Sequence, residues 1–258
     1  MAYPAANLDT STNTSQYDAL SKISFLKSTP SFYGMYLSIL REILGNIDRL
    51  HVLDMACGAG NVSQKLLEWG AEKVTGVDNS GGKIGVAQSM FRDTPGLDFS
   101  IADCSKPFDK GHFDLVTGFW LLNYARDRDD LSVMWSNISR HLKPGGRFVG
   151  VVPNYELLEA KNLGLLTSGD YHFGEVNIQI LDRLEDGFRI QTTFHMEPSV
   201  SVTNYILQKS LHEHYAYQAG LRDIQWIEPG PMDMGPLYPR STSCTPVFQF
   251  VTATRPKA

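Results

Sequence analysis

At 258 residues, 42% apolar and 20% charged, the chain has the size and composition of one large globular domain, or of one domain carrying an insertion. A formal net charge of -5 lacks the basic excess of proteins that work on phosphate backbones, which argues against nucleic acid as a partner. Cys57, Cys104 and Cys244 are too few and too widely spaced for a disulfide framework or a CxxC metal site. No apolar run reaches the ~20 residues of a membrane span, and the N-terminus is small and polar, so a cytoplasmic setting without membrane or metal is expected.

Residues 1–16, rich in Ser, Thr, Asn and Ala, predict a disordered tail. Phe32, Met35, Tyr36, Ile39, Leu40 and Ile43 fall at helical spacing, and Gly45 suits the C-cap. A regular alternation follows: a strand over His51–Met55, a helix over Asn61–Trp69 closed by Gly70, a strand over Lys73–Asp78, then a helix capped by Ser80. Strands are predicted over Leu97–Ala102 and Phe113–Phe119. Leu131, Met134, Trp135, Ile138 and Leu142 mark a helix face, Lys143-Pro144-Gly145-Gly146 a turn, and Arg147–Val152 the next strand. Strands alternating with helices imply a parallel sheet covered on both faces.

The alternation breaks after Pro153. Glu175–Leu184 and Phe188–Met196 read as a β-hairpin whose turn places Gly187 at positive φ. A helical pattern over Asn204–Ala219, stopped by Gly220, and strands over Asp223–Ile227 and Val247–Thr254 complete the chain. The expected fold is thus α/β, a Rossmann-like, mostly parallel sheet with helices on both faces and a hairpin insertion before the last helix. The expected organisation is a tail (1–16), a cap and core (17–153), an insertion (154–202), and a final helix with terminal strands that return to the core (203–258).

The segment carrying chemistry is Val52-Leu53-Asp54-Met55-Ala56-Cys57-Gly58-Ala59-Gly60-Asn61, between a strand and a helix. Glycines there let backbone approach a ligand at the carboxyl edge of the sheet. Ser63 stands where dinucleotide-binding loops place a third glycine, so tight packing around a pyrophosphate is not provided for. Asp54 before the loop would repel a pyrophosphate but attract the ammonium and sulfonium of S-adenosylmethionine (SAM). Asp78 ends the second strand, where a carboxylate can accept both ribose hydroxyls. Asp103 follows the third strand, where one can accept from an adenine amino group. Each acid taken alone fits an ordinary loop or cap role; three at one sheet edge around a glycine loop do not. An NAD-dependent dehydrogenase is the outside alternative.

The runs VLDMACGAG (52–60), VTGVDNS (74–80), ADCSKPF (102–108), FDLVTGFWLLNYA (113–125) and HLKPGGRFV (141–149) resemble those of class I SAM-dependent methyltransferases. LLNYARDRDDL (121–131) and SQYDALS (15–21) are similar to the toxoflavin-type small-molecule methyltransferases of secondary metabolism. The resemblance implies a seven-stranded sheet with the last strand antiparallel. It implies SAM as cofactor, held around Asp54, Ala56, Gly58, Gly60, Asp78, Asn79, Asp103 and Cys104, with Phe119 near the donor methionine and Tyr17 closing over it. The departure is Lys83, where relatives often place a Met that packs on adenine.

Methyl transfer from a sulfonium is a displacement from an activated donor, so alignment can supply much of the catalysis and no triad or metal is required. Tyr17, His172 and His195 are the candidate catalytic groups. Tyr33, Tyr36, Trp120, Asn123, Tyr124, Tyr171 and Phe173 are candidates for binding the acceptor. For Tyr33 and Tyr36 a core-facing role on an amphipathic helix fits equally, and for Trp120 packing beneath the next helix does. His212 and His214 point in different directions on one helix and read as solvated; His141 belongs to the turn motif and reads as structural. Phe188, Phe194 and Met196 would alternate between pocket and solvent along the hairpin. The expected partner is a small methyl acceptor, for a monomer or homodimer. A SAM-binding protein without transfer activity and a protein methyltransferase remain the alternatives.

Overall fold

A helix, α1 (Pro30–Leu44), leads into the sheet, and Gly45 closes it at φ +57. The computed structural model describes residues 30–164, 176–194, 199–229 and 248–257, with the side chains of 30–35, 161 and 176 left aside. The tail 1–16, Tyr17, Tyr171, His172, Phe173, His195 and Met196 lie outside the described residues.

The core elements are β1 (His51–Met55), α2 (Asn61–Glu68), β2 (Lys73–Asp78), α3 (Gly81–Met90), β3 (Leu97–Ile101), β4 (Phe113–Phe119), α4 (Arg128–His141) and β5 (Leu142–Pro153). An inserted unit follows: α5 (Tyr155–Asn162), β6 (Val176–Leu184), β7 (Gly187–Phe194) and β8 (Val200–Leu207). The chain then returns to the core through α6 (Lys209–Gln218), β9 (Arg222–Ile227) and β10 (Phe248–Thr254). Among the described residues the main sheet has seven strands in the order β3-β2-β1-β4-β5-β10-β9, with β10 antiparallel to both neighbours. This is the expected Rossmann-like arrangement. Its strand order reverses between β1 and β4, the switch point where such sheets open a crevice for ligands.

Successive residues of the buried strands face opposite sides, so each strand feeds two cores. Val52, Leu115, Val149 and Phe250 pack with Tyr36, Leu40, Leu44 and Leu66 under α1 and α2. Leu53, Val116, Phe148 and Val251 pack with Leu131, Trp135, Ile138 and Ala216 under α4 and α6. Three local expectations give way. The turn Lys143–Gly146 lies within β5 as an irregularity in its pairing with β4, with Gly145 at φ +81. Asn204–Leu207 is the end of strand β8 rather than the start of a helix, because pairing with β7 runs from Val200 to Leu207. Gly187 does not take a positive φ; it is a glycine because a Cβ there would lie 2.0 Å from the Ile206 carbonyl oxygen on β8.

The inserted sheet β6-β7-β8 has its own small core of Leu158, Phe188, Ile190 and Ile206. Phe188 therefore packs inward against α5. Arg183 on β6 makes a paired contact with Glu159 on α5 at 2.9 and 3.1 Å. Arg128, in the first turn of α4, grips Asp186 in the hairpin turn, with one contact at 2.7 Å. Among the described residues, no helix is long and apolar enough to cross a membrane.

Candidate functional site

The carboxyl ends of β1 to β5 share one edge, and the left-handed residues there mark its sharpest corners. Ala56 (φ 60), Gly58 (φ 56) and Gly60 (φ 79) fold the loop after β1 back over the sheet. Trp120 (φ 60) makes the corner after β4, an uncommon conformation for a bulky residue and one that clusters at functional sites. Ala56–Ala59 are half-buried, so the loop presents backbone at the edge. Gly60 opens α2 without a side-chain cap, and a Cβ there would come within 2.6 Å of the Phe99 ring.

The three acids hold this edge together in different ways. Asp78, at the end of β2, accepts from the Gly58 N–H through one oxygen and from the Ser80 N–H through the other, both at 2.9 Å. Asp54 lies beneath the loop, fully buried. It accepts from the Ser63 hydroxyl at 2.6 Å and the Thr117 hydroxyl at 2.8 Å. Burial raises its pKa to about 6, against the pull of those two hydroxyls, and the nearby Asp78 adds to the rise. Asp103 closes its own turn, accepting from the Ser105 N–H at 3.0 Å and hydroxyl at 2.6 Å and pairing with the Lys106 ammonium at 3.0 Å. Burial pushes its pKa up, but those partners outweigh it and hold the group below its usual value.

Asn79 is half-buried beside Asp78, and Cys104 is buried with its thiol pushed up mainly by burial. Lys83 is buried on α3, with its stem 3.8 Å from where a Cβ on Gly58 would sit. Burial lowers its pKa against the opposing charge of Asp78. Its aliphatic stem thus covers the glycine loop at the position where the resemblance puts Met.

Beyond the loop, Phe119 is buried at the end of β4, edge-on to Tyr36 with ring centres 6.2 Å apart. Tyr36 also stacks on Phe250 at 6.1 Å, which makes it a core aromatic under α1. Trp120 is half-buried and edge-on to Phe248 at 6.0 Å. Asn123 is buried and Tyr124 half-buried in the short 3₁₀ turn Leu122–Tyr124 that follows. Tyr33 lies on α1, its side chain outside the described residues.

One histidine departs from expectation. His212 is buried, between the edges of Trp135 and Trp226, and burial lowers its pKa to about 4. It is not solvated, because α6 turns that face onto α4; His214 is exposed. His141 accepts from the Lys110 N–H through Nε2 at 3.1 Å and has Nδ1 2.7 Å from the Asn137 carbonyl, a structural arrangement. Ser63 and Thr117 are the site residues that sequence reasoning did not identify. Ser63 had a signal, as the residue replacing a third glycine; Thr117 had none.

Residues 52–146 match a family model described as a methyltransferase domain. A demethylmenaquinone methyltransferase of Leptospira interrogans is 32% identical over 54% of this chain and 55% of its own length. An mRNA cap guanine-N(7) methyltransferase of Schizosaccharomyces pombe is 26% identical over 69% of this chain and 54% of its own. The chain spans about half the length of these curated relatives. The crystal structure of a SAM-dependent methyltransferase from Mesorhizobium loti superposes with a TM-score of 0.59 at 20% identity, over 86% of this chain and 98% of that one. Residues 52–146 thus resemble a methyltransferase domain, in a chain with the fold of a solved SAM-dependent methyltransferase.

Proposed function

We propose that the protein is a SAM-dependent methyltransferase acting on a small aromatic or heterocyclic molecule at nitrogen or oxygen. The observation that carries this reading is the left-handed loop Ala56–Gly60 fastened by its Gly58 N–H to Asp78, inside a segment that matches a methyltransferase domain. The residues present fit SAM: the glycines leave room for close backbone approach, and two acids line an edge that would meet a cation. We assign Asp78, at the end of β2, to the ribose hydroxyls, and Asn79, Asp103 and Cys104, at the same edge, to the adenine. Phe119 shields the methionine end. Asp54, beneath the loop, supplies negative potential towards the sulfonium, since its burial leaves the charge little screened. When bound, SAM supplies a methyl group activated for one-step displacement. The chain's own part is to exclude water and hold the acceptor in line, the role assigned to Trp120, Asn123, Tyr124 and the inserted sheet.

The ring-bearing acceptors in the relatives' names support an aromatic or heterocyclic substrate. The runs 121–131 and 15–21 support a toxoflavin-type small-molecule enzyme, and the acidic net charge argues against RNA. Incubation with methyl-labelled SAM and a metabolite extract tests this. Label should appear in the small-molecule fraction. Label confined to precipitated protein or RNA, or none transferred despite SAM binding, would overturn it.

A further inference from the structure

Asp78 fastens the glycine loop and Asp103 closes its own turn, but Asp54 spends its two oxygens on side-chain hydroxyls from two other elements. Ser63, in the first turn of α2, donates at 2.6 Å, and Thr117, its ladder partner on β4, donates at 2.8 Å. Leu53 and Met55 face the α4/α6 core, so Asp54 points to the other side of β1, where α2 packs. The Ser63 contact has the length of a hydroxyl bound to a charged oxygen. Each hydroxyl has one hydrogen, and both are given to Asp54, an arrangement that suits a carboxylate rather than a carboxyl.

A fully buried carboxylate normally faces a cation. Among the described residues Asp54 has no such partner. The titratable groups facing it are Asp78 at the end of β2, Cys57 in the loop after β1 and Cys104 after β3, none of them a cation. Lys83 on α3 faces Asp78 and Cys57. α2 and β4 present their hydroxyls. Burial works against the charge on Asp54 and Asp78 adds to it, while the two hydroxyls oppose both. A negative charge is thus held beneath the glycine loop without a counter-ion in the protein, and a bound cation would supply one.

We propose that Ser63 and Thr117 are positioning residues that hold Asp54 as the counter-charge to the sulfonium, so that the site favours the methyl donor over its demethylated product. The proposal rests on the SAM reading of this edge. SAM and S-adenosylhomocysteine differ by one methyl group and one positive charge at sulfur. On transfer the acceptor takes the methyl and the charge with it, while the C–S bonding pair stays on sulfur. The attraction of Asp54 is lost at that moment, which loosens the product and not the donor. Ser63 and Thr117 act through Asp54, by keeping it ionised and fixed between α2 and β4.

Isothermal titration calorimetry of the full-length protein with SAM and with S-adenosylhomocysteine, from pH 5 to pH 7, reads the ratio of the two affinities. Taking the ratio on one protein cancels any loss of folded fraction. The wild type should favour SAM, more strongly as pH rises, because burial places the Asp54 carboxyl at about 6. Asp54→Asn should lower the pH 7 ratio by about tenfold or more, as one poorly screened charge acts on another, and should remove the rise. Thr117→Val and Ser63→Ala each remove a donor that favours the ionised form, so the rise should move to higher pH and the pH 7 ratio should fall. Thr117→Ser, which keeps the hydroxyl, should restore the wild-type profile. A role in packing alone would weaken both ligands together and leave the ratio unmoved. The same ratio in wild type and Asp54→Asn, or a Thr117→Val or Ser63→Ala profile that coincides with wild type, would overturn the proposal while leaving SAM binding intact. If neither ligand binds, the SAM reading falls and the proposal with it.

Discussion

Asp78 Oδ2 accepts the backbone N–H of Gly58 at 2.9 Å across 20 residues of sequence, tying the loop after β1 to the end of β2. The other oxygen accepts from Ser80, whose hydroxyl in turn caps α3. One carboxylate thus sets the shape of the loop and the start of the next helix before any ligand arrives.

Asp78→Asn keeps the size but loses the charge and turns one N–H donor against another. Each charged hydrogen bond contributes about 1.5–3 kcal/mol, and in a chain of this size each kcal/mol is worth about 2–4 °C. A fall in Tm of roughly 5–10 °C is expected by differential scanning fluorimetry, on the same scale. SAM affinity in the folded fraction should fall more than about tenfold, or 1.4 kcal/mol. A lower Tm with unchanged affinity would make Asp78 a structural staple only.

Gly60→Ala and Gly85→Ala should move stability in opposite directions. A Cβ on Gly60 would strike Phe99 at 2.6 Å from a left-handed backbone, whereas one on Gly85, inside α3, meets nothing within 4 Å. The first should cost about 1–3 kcal/mol through overpacking, and the second should stabilise by about 0.5–1 kcal/mol through helix propensity. Urea titrations showing the same sign for both would contradict the packing given for the loop.

Burial lifts Asp54 to about pH 6 from 3.8. Its contribution to stability is therefore fully present below about pH 3.8 and lost as pH rises through about 6. Asp54→Asn does not titrate, so the variant should gain on the wild type between pH 4 and pH 8 by up to about 3 kcal/mol, at 1.36 kcal/mol per pKa unit. Taking the difference cancels the other titrating groups. Parallel stability curves would show that Asp54 is not perturbed as described. At pH 7 the variant should also bind SAM more weakly, having lost the negative charge beneath the loop.

Phe188→Ala empties the centre of the inserted sheet, where Phe188 packs against Leu158, Ile190 and Ile206. A loss of about 3–5 kcal/mol is expected for that unit. Limited proteolysis should then cut within β6 to β8, methyl transfer should fall steeply, and SAM affinity should hold, because its proposed ligands lie on the core. Full transfer activity with a cleavable insertion would show that the sheet does not shape the acceptor site.

The frame of the fold was legible because buried parallel strands are short apolar runs between glycine turns. β1, β2 and β4 end where the sequence places them, and Gly45, Gly70 and Gly220 take the positive φ that a helix stop asks of glycine. The misread stretches are those where pairing overrides local pattern. Tyr205, Ile206 and Leu207 continue into a helical spacing with Leu211 and Tyr215, yet the β7 ladder claims them. Gly187 is fixed by a neighbouring backbone rather than by its own turn. At the site, the acids and glycines could be found by spacing, but the partners of Asp54 could not. Thr117 sits 63 residues away and meets Asp54 only because β4 pairs with β1 across the switch point.

The central claim is that the edge defined by Gly58, Gly60 and Asp78 binds SAM. Isothermal titration calorimetry of the wild-type protein with SAM, S-adenosylhomocysteine and NAD tests it most directly. The account predicts one site per chain for both adenosyl ligands, weakened by Asp78→Asn, and no heat with NAD. Saturable NAD binding with no response to SAM would contradict it.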